Sequence, residues 1–184
     1  MDGIIRTRVG YSGGETLYPT YRRMGDHSET IQIDFDPSRI SYEKLLGIFW
    51  KSHDPTYRPW RRQYMSAIFY HDEEQKKLAL ESMAAEERQR DKKIQTEIHP
   101  LGKFYLAEDY HQKYQLRQNR ELMTEFKGLY PSGLDFINST AAARVNGYVS
   151  GYGTPEKVKA NLEGLGLSPR GSKRLLEINA RLSQ

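Results

Sequence analysis

The 184-residue sequence contains no cysteine. That excludes a disulfide scaffold, a zinc–thiolate site and a cysteine nucleophile within these residues. Long apolar runs are also missing: none approaches the roughly 20 residues that a membrane span needs. The opening Met1-Asp2-Gly3-Ile4-Ile5-Arg6 has neither the basic nor the apolar stretch of a signal peptide. A soluble, cytoplasmic protein is therefore expected, with no membrane partner. Apolar residues make up 37% and charged residues 28%, enough to build a core without staples. The net charge is +4, but 28 Lys+Arg are interleaved with 24 Asp+Glu. With no long basic run, a solvated mixed surface is expected rather than a nucleic-acid site.

What is present is an alternation of strand and helix patterns. Ile4 to Tyr11 is β-branched and ends at the turn Ser12-Gly13-Gly14. Thr30 to Phe35 alternates, with Ile31, Ile33 and Phe35 on one face, which predicts a half-buried strand. From Ser41 to His53 the period becomes helical, with Ser41 as N-cap. Met65 to Tyr70 reads as a strand. Asp72 caps a long charged helix to about Lys92, with Gln75 completing a capping box. Ile94, Thr96 and Ile98 alternate as a further strand, Phe104 to Leu106 is short and apolar, and Glu108 to Phe126 is helical in period. Beyond Leu129, Thr154-Pro155 and Ser168-Pro169 each place a cap before a proline at the first helical position, predicting two short helices. The small residues from Ser139 to Gly147 suit a close-packed segment wrapped over a surface. Strands alternating with helices predict an α/β or α+β fold with helices packed on a mixed sheet.

Four clusters carry candidate chemistry: Arg8 to Gly14 followed by Tyr18-Pro19-Thr20-Tyr21; Gly25-Asp26-His27-Ser28-Glu29; His53-Asp54-Pro55-Thr56 with Arg62-Gln63-Tyr64; and Phe104 to Tyr114. Singly, each is weak. Gly13-Gly14 is not a phosphate loop, since no Gly-Lys-Ser/Thr follows. His27 with Glu29, and Asp109 with His111, match no standard metal-ligand spacing, so no metal is expected.

In this order, however, the clusters resemble the A-type peptide methionine sulfoxide reductases. The likeness rests on Arg8-Val9-Gly10-Tyr11 with Gly13-Gly14, Pro19-Thr20-Tyr21, His27 with Glu29, Asp36-Pro37, Ile40-Ser41-Tyr42, Phe49-Trp50, His53 to Thr56, Gln63-Tyr64, Ser66-Ala67-Ile68, Thr96-Glu97-Ile98 and the run from Phe104 to Tyr114. It covers roughly residues 3 to 117.

The resemblance implies reduction of the S-epimer of peptide methionine sulfoxide, a repair of oxidative damage. A thiolate attacks the sulfoxide sulfur while a glutamic acid and two tyrosine hydroxyls hold and protonate the departing oxygen. By motif position these are Glu29, Tyr21 and Tyr114, with Asp109 as a supporting polar residue. Glu29 is then expected in an aromatic, poorly solvated pocket. No bound cofactor is implied; a thioredoxin-like dithiol would be the reductant, and the protein would be a monomer. The family's fold implies a ferredoxin-like reductase core at residues 1–128, here without its first strand and helix, and a helical extension at residues 129–184.

The nucleophile of the family sits in a Gly-Cys-Phe-Trp-Gly motif at a helix start, where the thiol pKa falls. No such motif occurs in these residues. One reading is a truncated and inactive form of a reductase. The other is a non-catalytic pseudoenzyme that binds oxidised methionine or a protein partner. Loss of a strand and its helix would expose ladder groups and apolar faces worth more than the ~5–15 kcal/mol by which domains are stable. The 184-residue chain is therefore expected to be poorly stable on its own. A single two-state transition at an ordinary urea midpoint, seen alike by fluorescence and circular dichroism, would refute this.

Overall fold

Gly10 is where the first strand is pinned. A side chain there would meet the Tyr105 carbonyl oxygen at 2.3 Å and the Phe104 ring at 2.4 Å, so only glycine lets the two strands close. The computed structural model describes residues 1–182. In it, β1 (Ile4–Ser12) lies between β2 (Ser28–Phe35) and β5 (Tyr105–Leu106). β1 runs antiparallel to β5, with Gly10 opposite Leu106 and Tyr11 opposite Tyr105. A second sheet pairs β3 (Ala67–Tyr70) in parallel with β4 (Glu97–Pro100). Parallel neighbours need a crossover, and the helix α2 (Glu73–Arg90) supplies it. The fold is thus mixed α/β, its strands divided between two small sheets.

The chain divides into two compact units. One holds Met1–Arg8, Gln32–Phe35 and Glu108–Gln184; the other holds Val9–Ile31 and Asp36–Ala107.

In the second unit α1 (Tyr42–Lys51) starts where Ser41 accepts from the Lys44 N–H, and α2 starts where Asp72 accepts from the Gln75 N–H. Gln75 in turn accepts from the His71 N–H, one position before the cap. The two helices meet through Leu46, Trp50 and Ala79, which pack with Ile68 and Ile94. The buried Trp50 indole N–H is satisfied by the Ser82 hydroxyl at 3.0 Å, as a buried donor requires. A smaller core joins Tyr11, Met24 and Ala107. The predicted strand at Ile94 begins only at Glu97. Before that, the Ile94 N–H is taken by the Glu87 carboxylate and the Gln95 N–H by the Pro55 carbonyl, so neither is available to a ladder. On β2 the alternation is present, but Ile31 is exposed while Ile33 and Phe35 are half-buried.

The first unit is mainly helical. The helix expected from Glu108 to Phe126 is broken into a 3₁₀ turn at Asp109–His111, α3 (Tyr114–Arg117) and α4 (Arg120–Leu129). The break is made by Gln112 in extended conformation and Lys113 at φ +52°, left-handed. Beyond Leu129 the described residues form four α-helices where the sequence predicts two: α5 (Gly133–Asn138), α6 (Thr140–Tyr148), α7 (Pro155–Asn161) and α8 (Pro169–Leu182). Ser132 and Ser139 cap the two unforeseen ones. The Ala-rich stretch is therefore a helix, with Ala141, Ala142 and Val145 in the core beside Leu122, Phe126, Ile137, Val158 and Leu175. Small residues allow that close packing.

Asn179, fully buried on α8, binds this unit's irregular backbone. Its amide nitrogen donates to the carbonyls of Tyr148, Tyr152 and Gly153 at 3.1–3.3 Å. Loss of the amide removes all three bonds at a fully buried position. Asn179→Leu is expected to lower the unfolding free energy by about 2–3 kcal/mol, read by urea denaturation. An exposed change such as Lys173→Ala serves as the reference and should move it by less than about 0.5 kcal/mol.

Candidate functional site

The loop that leads into β2 is held by a buried imidazole. His27 Nδ1 accepts from the Gly14 N–H at 3.1 Å, which leaves Nε2 to carry the proton and donate to the Thr16 carbonyl at 2.8 Å. Both ring nitrogens are thus used on backbone, and His27 is a structural residue rather than a ligand. Beside it, the Asp26 carboxylate accepts from the Glu15 and Thr16 N–H groups and the Thr16 hydroxyl. Those hydrogen bonds, led by the Glu15 N–H, hold its carboxyl well below the usual carboxylate range. At Gly13, φ +85°, a Cβ would run into the Phe69 ring. These contacts fix the stretch carrying Tyr21 and the start of β2 carrying Glu29.

Glu29 is exposed, and its Oε1 accepts from the Gln63 side-chain amide at 2.6 Å. The enclosing aromatic pocket expected around it is not what its own unit provides. One residue earlier, the buried Ser28 hydroxyl donates to the Arg62 carbonyl at 2.9 Å. The 3₁₀ turn Arg62–Tyr64 is therefore stitched to the first residues of β2 by two bonds. Arg62 reaches on to Glu97, which also takes His99 Nε2 at 2.8 Å. Burial pushes the Glu97 carboxyl up, but the bonds from His99 and Arg62 outweigh it and the net direction is down. His53 is structural too, its Nε2 lying 2.7 Å from the Ser66 hydroxyl. Tyr21 is 40% exposed.

Asp109 and Tyr114 belong to the first unit. Asp109 opens the 3₁₀ turn and lies over the start of α5, its Oδ2 3.5 Å from where a Cβ at Gly133 would sit. Tyr114 is the first residue of α3 and 54% exposed. Each of the four predicted residues therefore presents its side chain at a surface of its own unit. Sequence alone does not mark Gln63 or Lys113 as site residues. Gln63 lies in the Gln63-Tyr64 motif, but nothing local says that its amide meets Glu29.

Lys113 is buried and donates to the carbonyl and hydroxyl of Thr7 on β1. This bond holds the left-handed turn from which Tyr114 starts its helix. Nearby, Arg8 is engaged by Asp34, Gln32 and Asn138. Among the described residues no group of three or more His, Asp or Glu could hold a metal ion, and no helix is long and apolar enough to cross a membrane.

Residues 1–132 match the family described as peptide methionine sulfoxide reductase. The chain belongs to the peptide methionine sulfoxide reductase family. Residues 135–178 match the helical domain described for selenoprotein methionine sulfoxide reductase A. A peptide methionine sulfoxide reductase of Drosophila melanogaster is 46% identical over 169 residues, covering 91% of this chain and 68% of that protein. Peptide methionine sulfoxide reductase A5 of Oryza sativa is 38% identical over 161 residues, covering 84% and 63%. The reductase of Methanosarcina acetivorans is 46% identical over 125 residues, covering 62% and 66%. The chain thus spans about two thirds of the length of these reductases. Reduced Mxr1 from Saccharomyces cerevisiae has a similar fold, with TM-score 0.60 and 31% identity over 64% of this chain and 73% of that one. Methionine sulfoxide reductase A of Corynebacterium diphtheriae gives 0.53 and 31%, covering 64% and 65%.

Burial, with Arg8 adding to it, lowers the Lys113 ammonium to about 8. Its unfolded value is near 10.4, so between those limits the unfolded chain binds the extra proton and stability rises with pH. Relative to Lys113→Met, the unfolding free energy of the natural chain is expected to be flat below pH 8. It should climb by about 2 kcal/mol between pH 8 and 10.5. Denaturation curves of both proteins at four pH values check this; a difference independent of pH would contradict it.

Proposed function

We propose that this chain provides the oxygen-holding part of a peptide methionine-S-sulfoxide reductase. Glu29 gives the proton to the sulfoxide oxygen, Tyr21 and Tyr114 hold that oxygen, and Asp109 supports them. The family match over residues 1–132 carries the reading. The Gln63 bond to Glu29 supports it, because a carboxyl anchored through one oxygen can present a proton on the other.

The chemistry then needs a thiol from outside these residues, which hold no cysteine. The thiolate sulfur attacks the sulfoxide sulfur, and the oxygen passes to the thiol with the proton. Methionine leaves and a sulfenic acid remains. A second thiol condenses with the sulfenic acid, releasing water and forming a disulfide. A thioredoxin-like dithiol reduces that disulfide. By themselves the 184 residues bind and do not turn over, as a truncated reductase or a pseudoenzyme would. On this reading residues 1–128 are the reductase core and residues 129–184 an extension. The protein is a soluble cytoplasmic monomer that needs no metal or bound cofactor, and neither nucleic acid nor membrane is a partner.

Calorimetric titration with an N-acetylated peptide carrying methionine-S-sulfoxide tests this. The S-epimer is expected to bind at least about tenfold tighter than the R-epimer or the reduced peptide, since a site built to hydrogen-bond the oxygen rejects analogues that misplace it. Glu29→Ala and Tyr21→Phe should erase most of that preference. Equal binding of both epimers would sink the site assignment, and turnover by the cysteine-free chain with dithiothreitol would sink the thiol mechanism.

A further inference from the structure

Between the motifs His53 to Thr56 and Gln63-Tyr64 lie six residues that the family resemblance does not use: Tyr57-Arg58-Pro59-Trp60-Arg61-Arg62. Large side chains in this loop face solvent. Trp60 is 79% exposed, Tyr57 61% and Tyr64 51%. Single exposed aromatics are ordinary, but three within eight residues, beside arginines, have the composition of a recognition surface. No acidic residue occurs from Tyr57 to His71. Arg62 is neutralised by Glu97, whereas Arg58 and Arg61 are exposed and the Arg61 guanidinium lies 4.3 Å from the centre of the Trp60 ring. That stacking spreads a flat cationic face over an indole.

The loop is also preformed. Asp54 caps its entry by accepting from the Thr56 N–H and hydroxyl, and Pro55 and Pro59 restrict its backbone. The Arg62–Tyr64 turn closes its exit, and the bonds Ser28 to Arg62 and Gln63 to Glu29 tie that exit to β2. A surface ordered before binding loses less entropy on binding.

We infer that the Tyr57–Tyr64 loop is a specificity surface for the polypeptide that carries the methionine sulfoxide, selecting acidic residues within a few positions of it. This rests on the proposed role of Glu29 and deepens it. The occupant is fixed by charge and by continuity. Two unneutralised arginines attract carboxylates, and the loop's last turn is the one bonded to Glu29. An extended chain advances about 3.3–3.6 Å per residue, so a peptide lying over Glu29 places neighbouring side chains on the adjoining turn. Trp60 and Tyr57 then give apolar contact to those neighbours.

The test is fluorescence anisotropy with four labelled peptides: methionine-S-sulfoxide or methionine, each flanked by Asp/Glu or by Lys. The proteins are the natural chain, Arg58→Ser/Arg61→Ser, Trp60→Ala and Glu29→Gln, with thermal melts to establish that each is folded. The acidic flanks are expected to bind about five- to tenfold tighter than the Lys flanks at low salt, with the preference shrinking as salt rises. The double arginine variant should lose the preference, and Trp60→Ala should weaken both flanks alike. Equal binding of the two flanks, or no binding of any peptide, overturns the inference. So does a single-stranded oligothymidine that displaces the acidic peptide and loses its own binding in the arginine variant, since the loop would then be a nucleic-acid surface. If the flank preference holds but oxidised and reduced peptides bind alike in the natural chain and in Glu29→Gln, the loop inference stands and the sulfoxide reading fails.

Discussion

His27 sits fully buried between two backbone groups, the Gly14 N–H and the Thr16 carbonyl. The placing of the second unit's surface around Glu29 depends on that clamp. Without it the stretch from Ser12 to Gly25 has little regular structure to hold it, and Asp26 serves as a second brace on the same turn. The residue after His27 starts β2 and holds the Arg62 turn; the next is Glu29. A neutral ring with one donor and one acceptor suits this task, because it satisfies one backbone group of each kind. Lys113 and Asn179 play related parts in the first unit. Each is a buried polar side chain that donates to backbone carbonyls far from it in sequence.

Local signals were legible in the sequence and long-range ones were not. Ser41, Asp72, Thr154 and Ser168 announce helix starts because a cap and its partner N–H lie within three residues. Ser132 and Ser139 carry the same signal, but the small residues from Ser139 onward also suit an irregular wrap. The continuous helix expected from Glu108 failed at Lys113, whose left-handed backbone is stabilised by Thr7, more than a hundred residues away. Periodicity cannot report that bond. Motif order points to Glu29, Tyr21, Tyr114 and Asp109, whereas the exposure of Glu29 and its bond to Gln63 depend on how β2 meets a distant turn.

The composition separates recognition from chemistry. A chain with no thiol can still hold an oxygen through a carboxyl and phenols, since that task needs donors placed in space and no nucleophile. On the inference drawn above, the cation–aromatic loop beside Glu29 would add reach along a polypeptide and leave the reacting atoms alone. In such an arrangement affinity and turnover are set by different residues, so each can change without the other.

The pairing of β1 with β5 has a consequence for synthesis. Gly10 faces Leu106 and Tyr11 faces Tyr105, so this edge of β1 must wait for nearly the whole second unit to emerge. By contrast, β3, α2 and β4 are consecutive and can assemble from nearby contacts as soon as they are made. Closing a long loop is slow relative to joining neighbours. On the ribosome, then, β2 can cover one edge of β1 early, while the edge that meets β5 stays open until Tyr105 and Leu106 are made. That interval is when the nascent chain is most exposed to wrong strand partners and to the chaperones that shield it.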